Sequence, residues 1–209
     1  MNVRIVRYLG AFLIPALCLF SFAVFARSGD WPQAPGPGEG WHTEKTISGM
    51  AAETAGEAKT PDGPAKVRLS FECTPGKNGT DSVVFIVLGA TKLKGFDFDD
   101  FEGPDAVARA KALLTFTVQR TKGPDVVVKT NAAGSYTVTE GGFAFEVSTA
   151  ANTKEGKVTQ LTEAIAGGAS SISVQVQDFA DAAKNIQATF PTGGAAEMLS
   201  QTMKACSRH

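Results

Sequence analysis

Alternation of apolar and polar residues dominates the chain from Lys66 onward. KVRLSFEC places Val67, Leu69, Phe71 and Cys73 on one face. Lys66, Arg68, Ser70 and Glu72 fall on the other, the pattern of a half-buried strand. TPGKNGTD follows with Pro-Gly and Asn-Gly turn pairs, then the apolar run SVVFIVLG, so the two runs predict a hairpin. Further strands are predicted at ALLTFTVQR, at DVVVKT, and twice within SYTVTEGGFAFEVST around Glu140-Gly141-Gly142. The period then changes. KEGKVTQLTEAIAGG sets Val158, Leu161, Thr162 and Ile165 on one helical face and stops at Gly167-Gly168. SSISVQVQ returns to alternation, and NIQATFP is a weaker strand. A last helix is predicted through GGAAEMLSQTMKAC, capped by Thr192, with Leu199, Met203 and Cys206 facing inward. The sum is a mainly β, α+β fold. An antiparallel curved sheet or sandwich is packed by one internal helix and one C-terminal helix.

The ends differ from this body. MNVRIVR carries Arg4 and Arg7, and YLGAFLIPALCLFSFAVFA is apolar almost throughout. A basic start, an apolar middle and the small-residue exit at Val24 and Ala26 define a signal peptide over residues 1–26. An uncleaved anchor helix is the competing expectation, because the run is close to the roughly 20 apolar residues of a span. Pro15 and the Val-Phe-Ala exit favour cleavage. Cys18 follows Leu17, which is too large for a lipoprotein site. Residues 27–40 crowd Pro and Gly into a leader unable to bury much, and a single β-rich domain occupies 41–209.

Cleavage after Ala26 removes Arg4 and Arg7 and takes the formal net charge from −1 to −3. That balance lacks the basic stripe of a nucleic-acid partner and the attraction needed to dock on an anionic membrane. The expected location is the periplasm or the exterior. Cys73 and Cys206 are then the remaining cysteines, and in an oxidising compartment they are expected to pair.

The chemistry-bearing motifs are few. His42 lies beside the leader and His209 ends the chain, so neither is expected to act as a rigid general base. There is no His-Glu-x-x-His, no Gly-x-Ser-x-Gly and no phosphate-cradling glycine loop. No catalytic set and no metal ligand set is therefore assigned. The densest constellation is GFDFDDFEGPDA, where Asp97, Asp99, Asp100, Glu102 and Asp105 alternate with Phe96, Phe98 and Phe101. Taken as an extended edge, it splits its carboxylates between two faces. Charge there keeps an edge from pairing with another chain. The same residues are candidates for a surface that meets a protein or envelope partner. Calcium is the one cofactor they could suit, since Gly103-Pro104 could curl Glu102 and Asp105 round, although the spacing is not that of an EF-hand.

These features point to an exported, non-catalytic binding module with a protein or envelope component as partner. An inhibitor of a basic secreted enzyme is one form. The alternatives are a carboxylate-dependent hydrolase of envelope polysaccharide and a structural subunit of an envelope or secretion assembly.

Overall fold

A computed structural model describes residues 40–46, 49–75, 79–131, 133–138, 141–150 and 156–206. The expected signal peptide, the expected leader to residue 39, Asn78 of the Asn-Gly turn pair, the side chain of Cys206 and all of His209 lie outside the described residues. The described residues fall within one compact unit, Trp31–His209.

Among the described residues, ten strands and two helices build it. They are β1 (His42–Lys45), β2 (Met50–Thr60), β3 (Gly63–Thr74), β4 (Thr80–Val87), β5 (Leu114–Arg120), β6 (Val126–Thr130), β7 (Ala133–Tyr136), β8 (Phe143–Ala150), α1 (Lys157–Ala166), β9 (Ala169–Gln177), β10 (Asn185–Phe190) and α2 (Ala195–Cys206). The strands form one curved antiparallel sheet in the order β6-β5-β9-β10-β2-β3-β4-β8-β7. β1 and β10 share the side of β2 away from β3: His42 pairs with Glu53, and Ala188 with Ala58. The two edge strands, β6 and β7, are consecutive in the chain and joined through residues 131–132. Three Cα steps reach at most about 11 Å, so the sheet curls until its edges nearly meet at that corner.

The alternation seen in the sequence sets the inner face. Leu69 and Phe71 on β3, Phe85 on β4, Phe145 on β8, Phe116 on β5, Val174 on β9 and Phe190 on β10 all turn into one core. Inside the curve, α1 packs on β5, β6 and β9 and also on β4 and β8, so it bridges both ends of the sheet. Its Val158, Leu161 and Ile165 are buried, whereas Thr162 is only half-buried and bonds back to the Thr159 carbonyl at 2.9 Å. α2 covers β1, β2 and β3 with Ala195, Leu199 and Thr202. The indole Nε1 of Trp41 donates to the Pro191 carbonyl at 2.6 Å and its ring packs on Phe71, pinning the start of β1 to the end of β10.

Two expectations change. The Ala- and Gly-rich stretch before Lys66 carried no strand signal, yet β2 is central to the sheet. Its inward residues are small because the core leaves them no depth: a Cβ on Gly56 would lie 2.9 Å from the Phe190 ring. Burial on both sides overrides the poor strand propensity of Ala and Gly. Thr192 does not cap α2 with its side chain; its hydroxyl donates to the Ser170 carbonyl at 3.3 Å, and the helix starts three residues later.

Candidate functional site

The acidic run is neither extended nor an edge strand. It is a loop with one 3₁₀ turn at Asp99–Phe101, and the alternation survives for a different reason. Phe96, Phe98 and Phe101 are driven into the core as a plug, while Asp97, Asp99 and Glu102 stay exposed and Asp100 half-exposed. The three rings pack on one another and around Phe145, with Phe101 edge-on to it at 5.2 Å and Phe98 against Phe143 at 5.1 Å. The run also covers an edge instead of being one. Glu102 bridges in parallel to Gly134 on β7, and the Gly103 N–H donates to the Gly134 carbonyl at 3.1 Å. Gly134 must lack a side chain here, because a Cβ would sit 2.4 Å or less from two atoms of the Phe143 ring and 3.1 Å from the Phe101 carbonyl.

Four polar contacts fix the loop. The Gly95 N–H donates to Asp62 Oδ2 at 2.7 Å, from the β2–β3 turn. The Asp97 N–H donates to Asp178 Oδ2 at 3.2 Å, from the β9–β10 turn. Asp97 Oδ1 accepts the Asp99 N–H at 3.1 Å, an Asx turn that starts the 3₁₀ segment. Tyr136 on β7 donates its hydroxyl to Asp99 Oδ1 at 2.8 Å, and its ring stands edge-on to Phe143 at 4.9 Å. Asp62, Tyr136 and Asp178 escaped the sequence analysis. Their only local signal is that Asp62 and Asp178 sit at strand ends, where Asx turns are favoured; nothing in sequence ties them to residue 95 or 97.

The carboxylates are crowded and uncompensated. Among the described residues, no ion pair reaches Asp97, Asp99, Asp100, Glu102 or Asp105. The nearby Arg109 guanidinium donates instead to the Pro104 carbonyl at 2.8 Å. Desolvation, then the charges of Asp97, Asp178 and Asp99, raise the pKa of Asp100 above the ordinary carboxylate value. Desolvation first, then the hydrogen bond to Asp99 and the charges of Asp99, Glu102 and Asp97, push Tyr136 up to about 12. Among the described residues, no three His, Cys, Asp or Glu side chains stand where they could share a metal ion.

Tyr136 therefore reports on the site. Tyr8 lies in the N-terminal apolar segment, so the chain from Arg27 has Tyr136 as its one tyrosine. Phenolate absorbance should rise with a midpoint near pH 12. Asp99→Asn removes the nearest charge and should bring the midpoint down toward the ordinary value of about 10. A wild-type midpoint at the ordinary value would show that Asp99 does not hold the phenol. The folded state keeps this proton where an unfolded chain has lost it, so stability falls as pH rises through the interval from 10 to about 12.

His42 also departs from expectation. It is ordered in β1, and its Nε2 lies 3.2 Å from Oε1 of Glu53, a carboxylate buried on the outer face of β2. In the same cross-strand row stands Ser70, whose hydroxyl bonds Glu72 at 3.3 Å. His42 is thus positioned, but by a single strand contact beside the start of the described chain. Cys73 is buried on β3, and α2 packs on that strand.

No known protein family, curated protein or solved structure matches the chain. No helix among the described residues is long and apolar enough to cross a membrane.

Proposed function

We propose that the chain is an exported, non-catalytic envelope protein that binds a basic protein surface through the acidic loop. The periplasm or the exterior is its compartment, reached by cleavage after Ala26. Cys73 and Cys206 form the disulfide that fastens α2 to the sheet, which tryptic mapping without reduction would show as one linked peptide. One observation carries the binding reading. The fold spends three buried phenylalanines and four polar anchors to hold carboxylates outward, and no described cation balances them. Complementary charge gives such a surface a fast, salt-sensitive association with a basic partner. An inhibitor of a basic secreted enzyme, such as a lysozyme, is the specific form.

The test is calorimetric titration with a basic lysozyme at low and high salt, using wild type and the Asp97→Asn/Asp99→Asn/Asp100→Asn variant. Binding by the wild type that weakens at least about tenfold in the variant and fades with salt supports the reading. Equal binding by both proteins, or none by either, counts against it. The variant should stay folded, its melting temperature within about 3 °C of wild type. Asparagine at 97 and 99 keeps the acceptors used by the residue 99 N–H and by Tyr136, and the variant loses the mutual repulsion of the three carboxylates.

A further inference from the structure

We propose that the chain forms a two-fold dimer by antiparallel pairing of β6 with β6 of a second copy. The two sheet edges are treated differently. β7 is covered by the bridge from Glu102 and Gly103 to Gly134. β6 pairs with β5 alone, and among the described residues no other backbone hydrogen bond reaches Val126–Thr130. An open edge is a template for another strand unless something blunts it. Here the covering loop blunts one edge, and among the described residues no backbone covers the other beyond its corner with β7.

The outer face of β6 shows which strand fits. Val126, Val128 and Thr130 turn toward the core, so Asp125, Val127 and Lys129 fall on the opposite side. Val127 is 54 % exposed, unusual for a valine in a strand, and Asp125 and Lys129 are exposed on either side of it. The order is acid, apolar, base. Turned antiparallel about Val127, this order is its own complement. Asp125 faces Lys129 of the second copy, Val127 faces Val127, and Lys129 faces Asp125. A two-fold axis requires such self-complementarity. Opposite charges and β-branched pairs directly across an antiparallel ladder are both favourable. A lone edge lysine would discourage pairing, whereas here the acid two strand turns away answers it. Whichever amides point outward, the pairing closes about four ladder hydrogen bonds or more. A short edge contact buries little surface, so the dimer is weak, with Kd on the order of 100 μM.

Sedimentation equilibrium over a concentration series tests this, on protein expressed with its own N-terminal segment and purified as the host processes it. Wild type should show a monomer–dimer equilibrium. Lys129→Asp sets like charges opposite each other twice and should weaken the dimer by about tenfold or more. Asp125→Lys should do the same. Mixed in equal amounts, the two variants face each other with opposite charges, and dimers should return. Asp125 also accepts the Arg120 N–H at 3.3 Å, so circular dichroism must show that its variant folds. Val127→Lys supplies an independent disruption that leaves this turn intact. Monomeric wild type at about 1 mM would overturn the proposal. So would dimers that survive Lys129→Asp and Val127→Lys, or a mixture no more associated than its parts.

Discussion

Replacing Phe145 with alanine should lower the unfolding free energy by about 4 kcal/mol, within the range for emptying a buried phenylalanine site. Phe145 lies on β8, fully buried, within 6.5 Å of the rings of Phe85, Phe96, Phe98, Phe101 and Phe143. Three of these belong to the acidic loop. Truncation removes the ring on which the plug packs, and the strand pairing of Phe145 with Phe85 prevents the backbone from closing the gap. A domain of this size has about 5–15 kcal/mol in all, so the midpoint of urea unfolding should fall sharply. The loop should also loosen, with the Tyr136 titration moving down toward that of a free phenol. A loss below about 1 kcal/mol would mean that the plug does not seat as described. Phe145→Leu, which refills part of the volume, should recover part of the loss.

The second large effect is expected at Asp178. It is 5 % exposed, and its carboxylate accepts the N–H groups of Ala180 at 3.0 Å, Asp181 at 2.9 Å and Asp97 at 3.2 Å. Alanine strands all three donors, two in the β9–β10 turn and one in the acidic loop. At about 1–3 kcal/mol for each buried donor left unmade, with water reaching some of them, the loss should be about 3 kcal/mol. Asp178→Asn keeps one carbonyl acceptor and should lose less. Its charge also helps raise the pKa of Asp100, which gives a pH signature. With its pKa raised in the folded state, Asp100 binds a proton there that the unfolded chain has released. Its contribution is most favourable at low pH and is lost as pH rises from 3.8 through the folded value. In Asp178→Asn that window should narrow. Urea unfolding across the acidic range, with wild type and variant compared, measures both effects. An unchanged pH slope would show that the two carboxylates do not sense each other.

Much of the architecture was legible because strands with one buried face must alternate. β3, β5, β8 and β9 show it, β4 and β6 stand out instead as apolar runs, and α1 shows the helical period. β2 was illegible because it is constrained by close packing: Ala52, Gly56 and Ala58 are chosen for smallness, and smallness looks like loop composition. The acidic loop is conspicuous, since five carboxylates among three phenylalanines stand out in any sequence. Its conformation was not legible. Alternation with period two suggested a strand, but a loop that must bury every aromatic and expose most acids produces the same pattern. The groups that hold it, Asp62, Tyr136 and Asp178, come from three distant turns and strands. Only the curl of the sheet brings them together, and no local pattern encodes that curl.

The strand order has a consequence for how the chain can be made. β5 and β6 form one half of the sheet, and β2, β3, β4, β8 and β7 the other. Among the described strands, β9 and β10 alone join these halves by pairing, and both come late in the sequence. A chain emerging from its N-terminus can therefore assemble two separate hairpin sets, but it cannot seal them until its last forty or so residues are free. Until then the Phe-rich inner faces of both sets remain open to water. Such a chain depends on its C-terminal segment for completion, and a truncation that removes β9 and β10 leaves two half-sheets instead of a smaller version of the same fold.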